Sequence, residues 1–396
     1  MKKLVAIICL CLVLILSESI LNGRAYAEQE TLHIGCLGPL SGAAAPWGWD
    51  LVHGLEMRVD EINDAGGLKV GNQTYKIQIH YYDTKGRADE ATTVAKKLIF
   101  SDKVKYIIGN PIAATCDAVQ LVSEPNKVLF TFVGWGSTLL DQGKPYSFRS
   151  MLSTPEIIPT LYDYLRRKFP NVKTFGVINP NDTSGWDVAK GAKLSAEKLG
   201  WKVVADVYYE RGTKDFGPFV TKILMAKPDM IDFAGAPPGD GGLLAKLCYE
   251  RGYEGAKAYA AVGNSEPYIK IAGKGAEETY TGNAWDLQGD YVRPGIKDLA
   301  KRAKDRYKET PGILVPINYA PAQMIFEAMQ KVGSIDVDKV IGYITTHKME
   351  TVLGPVVIGG KETYGIDRQF LFPMVANVVR GGKVINLEEI LPFQLR

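Results

Sequence analysis

From residue 31 onward, short apolar runs alternate with longer stretches whose apolar positions recur every three or four residues. The short runs read as buried strands and the longer stretches as amphipathic helices laid against them, the pattern of α/β layers around mainly parallel sheets. Residues 31–37 make the first predicted strand. A loop at 38–42 leads into a helix on which Leu51, Leu55, Val59 and Ile62 form a core-facing stripe, stopped by the glycines at 66 and 67. Strands follow at 75–82, 104–109 and 128–133, with helices at 88–101 and from near Thr115 to before Pro125 between them. These segments form one doubly wound lobe.

The alternation then restarts. Helices at 155–169, 185–199, 216–226 and 240–251 separate strands at 174–179, 202–208, 230–234 and 258–262, which describes a second lobe. A strand at 280–285 carries the chain back across. Helices at 296–309, 319–332 and 336–347 have no sheet of their own and complete the first lobe. No internal repeat or Pro/Gly/Ser tether separates the lobes, so several short hinge crossings are expected rather than one linker.

The first 27 residues stand apart from this pattern. Lys2 and Lys3 precede an apolar run at 4–16, too short to span a bilayer, and Ala25-Tyr26-Ala27 is an A-x-A cleavage pattern. Residues 1–27 are therefore expected to be a secretory signal peptide cleaved after Ala27, leaving a soluble periplasmic protein. Cys9 and Cys11 lack the preceding residues that lipidation requires. Cleavage removes Lys2, Lys3, Arg24 and Glu18 and lowers the formal charge from +3 to +1, a balance that suggests no nucleic-acid partner. Cys36, Cys116 and Cys248 remain, an odd number in an oxidising compartment. Three buried thiols are expected, with a Cys36–Cys116 bridge left open.

Catalytic chemistry is hard to find. The four histidines, His33, His53, His80 and His347, show no zinc-ligand spacing, and neither a Walker loop, a G-x-S-x-G elbow nor a dinucleotide fingerprint occurs. No catalytic residue, metal or cofactor is expected. In doubly wound sheets ligands sit beyond the carboxyl ends of the strands, which singles out the loops at 38–47, 110–115, 133–138, 179–186, 235–240 and 263–266. Trp47, Trp135 and Trp186 lie in three of these loops and Trp285 near a predicted crossing; several aromatic rings converging there point to ligand contact.

Gly38-Pro39-Leu40-Ser41-Gly42, Asp60-Glu61-Ile62-Asn63 with Gly66-Gly67, Tyr106-Ile107-Ile108-Gly109, Phe148-Arg149, Asp215-Phe216 and Gly354-Pro355 occur in an order and spacing that span nearly the whole mature chain. Together they resemble the periplasmic solute-binding proteins of the branched-chain amino acid and amide type, the leucine-isoleucine-valine-binding class of ABC transporters. The resemblance implies a type I, Venus-flytrap fold of two α/β lobes joined by three hinge crossovers. Its lobes would be 28–149 with 284–352, and 150–283 with 353–396. It also implies capture: ligand enters between open lobes, hinge rotation closes them, and the closed monomer docks on an inner-membrane permease whose ATPase drives uptake.

In amino-acid-binding members of that class a serine and a threonine hold the ligand carboxylate, an acidic residue holds its amine, and tyrosines wall the pocket. The matching places are Ala113, Gly136, Gly263, Trp47 and Ser184, which implies a ligand other than a free amino acid. Recognition would fall to the backbone of Ala113, Ala114 and Thr115 at a helix N-terminus, to Gly134, Trp135 and Gly136, and to Trp186, Gly239, Asp240, Asn264 and Trp285. Against this, Asp117 reads as already complementing the dipole of a Thr-capped helix. The expected ligand is an aromatic or apolar small carboxylate, with a neutral amide second. The alternatives are a soluble ligand-sensing subunit of a periplasmic receptor, and an exported α/β enzyme, against which the missing nucleophile, base and metal set count.

Overall fold

The computed structural model describes residues 30–42, 44–210, 212–233, 235–260, 265–283, 293–392 and 395. Two sheets organise them. The first holds β1 (Glu30–Gly38), β2 (Leu68–Val70), β3 (Gln73–Asp83), β4 (Tyr106–Ile108), β5 (Leu129–Phe132) and β6 (Ser147–Arg149), to which β12 (Met349–Thr351), β13 (Gly354–Gly359) and β14 (Gln369–Leu371) are added; its order is β12-β13-β14-β6-β5-β4-β1-β3-β2. The second holds β7 (Thr174–Pro180), β8 (Lys202–Tyr209), β9 (Met230–Asp232), β10 (Ala256–Ala258) and β11 (Thr279–Asn283), with β15 (Met374–Arg380) and β16 (Lys383–Ile390), in the order β16-β15-β11-β10-β9-β7-β8. The central strands β3, β1, β4, β5 and β6 run parallel, as do β8, β7, β9, β10 and β11. Tyr106, Ile107 and Ile108 are wholly buried, as a strand covered on both faces by helices must be. The chain thus has the expected two α/β lobes built on mostly parallel sheets.

The helix Ala45–Asp64 buries the predicted stripe of Leu51, Leu55, Val59 and Ile62. Helix Leu314–Val332 lies against it so closely that a Cβ on Gly54 would sit 2.2 Å from the Val315 carbonyl oxygen, an approach only glycine allows. Asn318, buried in the later helix, donates from Nδ2 to the carbonyls of Leu51 (2.7 Å) and Ile108 (3.2 Å). The late helices therefore do close the first lobe. No helix among the described residues is long and apolar enough to cross a membrane.

One expected boundary is corrected. The chain does not return to the second lobe at 353, because β13 pairs antiparallel with β12 and β14, and β14 pairs parallel with β6, Gln369 opposite Arg149. The final crossing comes after Leu371, and the β15–β16 hairpin then pairs antiparallel with β11 at the edge of the second sheet. Strands short enough to show no alternation are assigned by pairing partners, and here the partner is more than 200 positions away.

The route of the crossings orients the lobes. The chain leaves β6 at its carboxyl end and enters the helix Thr154–Lys168, whose first turn lies on the side towards which β7 and its parallel neighbours point. The carboxyl ends of both sheets are thus turned to the hinge region. Loops that open helices gather there.

Candidate functional site

In the first lobe the loop after β1 is held from the end of β3. Asp83 accepts hydrogen bonds from the Leu40 N–H (2.8 Å), the Ser41 hydroxyl (2.5 Å) and the Lys85 N–H (2.7 Å). Burial pushes the Asp83 carboxyl up, but these donors outweigh it and hold the group below the ordinary carboxylate range. The loop is presented as a fixed turn, and Trp47 follows it in the first turn of Ala45–Asp64, 55% exposed. The indole is left in solvent while the rest of its helix is well packed.

The loops after β4 and β5 interlock. Gly109 donates its N–H to the Thr131 carbonyl, and Val133 donates to that of Asn110. A Cβ on Gly134 would lie 2.8 Å from Cys116 Sγ and 3.3 Å from Ala113 Cα and N, so this loop rests directly on the start of the helix Ala113–Ser123. A Cβ on Gly136 would lie 3.8 Å from Ala113 Cβ. The structure therefore brings Ala113, Gly134 and Gly136 together, with Trp135 between the glycines and 36% exposed. Ala114 is exposed at the same helix start.

The helix begins two residues before the expected Thr115, and Thr115 is not its cap. The Thr115 hydroxyl, fully buried, donates to Asn110 Oδ1 and the Ile112 carbonyl, each at 2.8 Å, and its N–H also donates to Ile112 (3.1 Å). Both donors of Thr115 are thus engaged within its own turn. Asp117 does not complement the amides either; it is half exposed and pairs with Lys144 (3.5 Å). The N–H groups of Ala113 and Ala114 precede the first intrahelical acceptor, and no described backbone carbonyl receives them. They carry the partial positive charge of the helix end towards the loop that holds Trp135.

In the second lobe the end of β7 and the end of β8 shape the wall. Asp182 caps the helix Thr183–Lys198 by accepting from the Gly185 N–H (2.9 Å), and this places Trp186 in the first turn, 51% exposed. Its Nε1 donates to Asn181 Oδ1 (3.0 Å), and Asn181 Nδ2 donates to Glu210 Oε1 (2.7 Å), so the ring is oriented by a polar chain. Gly239 and Asp240 lie in the first turn of the helix Pro238–Glu250, where Asp240 accepts from the Tyr209 hydroxyl (3.0 Å). Ser184 sits in the first turn after Asp182, its side chain outside the description; Gly263, Asn264 and Trp285 lie outside the described residues.

Two further groups were not singled out from sequence. Asp83 and Glu210 each orient a loop from a neighbouring strand, and nothing in their local sequence distinguishes them from other surface carboxylates. Cys36, Cys116 and Cys248 are free and buried, which removes the Cys36–Cys116 bridge. Burial raises the Cys248 thiol to about 12 and the other two higher still, so none acts as a nucleophile. Among the described residues no cluster of three or more histidine, cysteine or carboxylate side chains could hold a metal ion.

A family profile described as "Periplasmic binding protein" matches residues 31–380, nearly all of the chain beyond its first 30 residues. The chain belongs to the periplasmic binding protein family. This periplasmic binding protein is 27% identical over 319 residues to "Leu/Ile/Val-binding protein homolog 3" of Brucella melitensis, covering 79% of its own length and 83% of that relative's. Its fold also matches solved structures. One is a branched-chain amino acid transporter substrate-binding protein from Streptococcus pneumoniae in complex with isoleucine (TM-score 0.70, 21% identity, 92% and 100% of the two chains). Another is an ABC transporter solute-binding protein from Rhodopseudomonas palustris in complex with benzoate (TM-score 0.65, 20% identity, 91% and 97%). As a periplasmic binding protein the chain holds a solute and does not transform it. In doubly wound folds of this kind ligands sit beyond the carboxyl ends of the strands.

Proposed function

We propose that this protein is the monomeric solute-binding component of an ABC uptake system, released into the periplasm by cleavage after Ala27, and that it delivers an aromatic or apolar small carboxylate to its permease and ATPase partners. One observation carries the ligand class. At the start of Ala113–Ser123 the amides of Ala113 and Ala114 offer donors to a single carboxylate, while the flanking positions Ala113, Gly134 and Gly136 bear no polar side chain and Trp135 stands exposed between them. A helix end with open N–H groups suits an anion, and the indoles of Trp47, Trp135 and Trp186 suit a flat or aliphatic body.

A free amino acid is the second reading. Asp240 and Glu210, at the ends of neighbouring second-lobe segments, could face an ammonium group, and the relatives are named for leucine, isoleucine and valine. The test is thermal shift with benzoate, 3,4-dihydroxybenzoate, isoleucine and leucine, beside mass analysis of whatever small molecule leaves freshly purified protein on denaturation. Occupancy raises the melting temperature with ligand concentration. Stabilisation by the aromatic acids supports the proposal. Stabilisation by isoleucine or leucine alone overturns it in favour of the second reading.

A further inference from the structure

Arg149 ends β6, is 1% exposed, and lies where the chain first crosses between lobes. Its guanidinium is divided between two destinations. Nη2 donates to the Gly136 carbonyl in the loop after β5. Nη1 donates to Ser153 Oγ (2.8 Å), the Tyr364 hydroxyl (3.0 Å) and, at 3.4 Å, Gln369 Oε1. Beyond Arg149 stands Glu156, in the first turn of the helix that opens the second lobe. It accepts from the Ser153 N–H (2.9 Å) and hydroxyl (2.7 Å) and from the Tyr364 hydroxyl (2.9 Å). Gln369 Nε2 adds a bond to the Met151 carbonyl (2.9 Å), tying the third crossing to the first.

We propose that Arg149 is a positioning residue that couples the ligand loop 133–136 to the hinge, through Ser153 and Tyr364, so that movement of Glu156 with the second lobe resets the Gly136 carbonyl and Trp135 beside it. The physical ground is the rigidity of a buried, hydrogen-bonded ionic network. Arg149, Ser153, Glu156, Tyr364 and Gln369 are buried and the Gly136 carbonyl is part-buried, so breaking a link inside this group costs the desolvation of the side chain left behind, and the network moves as a unit rather than bond by bond. Arg149 suits the task because its planar guanidinium holds two separated nitrogens in a fixed fork towards partners on different segments, whereas a lysine offers its donors from a single flexible point. The inference rests on reading 133–136 as a ligand loop; that reading is judged by the ligand screen, whereas the coupling is judged on ligand-free protein.

The experiment is hydrogen–deuterium exchange of the ligand-free mature protein, comparing wild type with Glu156→Gln, Tyr364→Phe and Arg149→Lys. Neither Glu156 nor Tyr364 has a hydrogen bond to Gly136 among those described, so a purely local structural role would leave the 133–139 peptide unchanged in the first two variants. Coupling predicts that exchange there rises about tenfold in all three while peptides from β7 and β9 keep wild-type protection. Should Arg149→Lys fail to fold, the other two still decide. Unchanged exchange at 133–139 in Glu156→Gln and Tyr364→Phe, or a uniform rise across both lobes, would overturn the proposal.

Discussion

Arg293 of the first lobe and Glu389 of the second form an ion pair at 2.6 Å beside the hinge, and the guanidinium rests over Gly354, where a Cβ would lie 2.4 Å from Arg293 Cζ. Gly354 has φ +89°, a conformation that L side chains resist. Gly354→Ala is expected to lose at least about 1 kcal/mol of stability from strain and displacement of the arginine. Glu389→Gln removes only a part-exposed charge and should cost less than about 1 kcal/mol. Urea unfolding of the two variants checks the order; equal losses would show that the glycine is not required for the arginine's placement.

Asp50 accepts from the Gly312 N–H (3.0 Å), and burial, opposed by backbone hydrogen bonds and assisted by Glu309, raises its carboxyl from 3.8 to about 6. The folded state therefore keeps a proton that the unfolded chain releases between pH 3.8 and about 6. In that window this group makes stability fall as pH rises, by up to about 3 kcal/mol. Asp50→Asn should abolish that component, so the difference in melting temperature between variant and wild type should grow in the variant's favour from pH 4 to pH 7. A difference independent of pH would contradict the assignment.

Thr115→Val removes the hydroxyl that joins Asn110 Oδ1 and the Ile112 carbonyl while keeping the volume. With a buried acceptor left unsatisfied, a loss of about 1–3 kcal/mol is expected from chemical denaturation.

The thiols provide a fourth test. In the mature protein, a thiol reagent should find no reactive cysteine under native conditions and three on unfolding, since Cys36, Cys116 and Cys248 are free and buried with raised pKa values. Intact mass two hydrogens lower than the sequence requires would instead reveal a disulfide.

Tryptophans divide by burial. Trp201 is 3% exposed and stacks near Phe175 and Tyr162, so Trp201→Ala should cost about 3–5 kcal/mol. Trp47→Ala should stay within about 0.5 kcal/mol of wild type in the absence of ligand. If Trp47→Ala unfolds as readily as Trp201→Ala, that ring is a packing residue and not a free wall.

The periodicity of Leu51, Leu55, Val59 and Ile62 and the apolar runs such as 104–109 determined the α/β class and the carboxyl-end loops, but not the strands at 68–70, at 147–149 and after residue 347, because burial of a helix stripe or a long parallel strand imposes a local spacing that survives in one dimension. That the segments at 110–115 and 133–138 follow strands was legible for the same reason. What only the tertiary structure decided depends on partners far apart in the chain. The allegiance of β13 and β14 to the first sheet required pairing with β6, and the orienting roles of Asp83 and Glu210 required neighbouring strand ends. Thr115 looked like a cap until the helix start at Ala113 turned its hydroxyl back on Asn110. The Arg149–Ser153–Glu156–Tyr364 network joins positions more than 200 residues apart. Hydrogen bonds of that reach leave no period in the sequence, because they are specified by where the strands and crossings place their side chains in space.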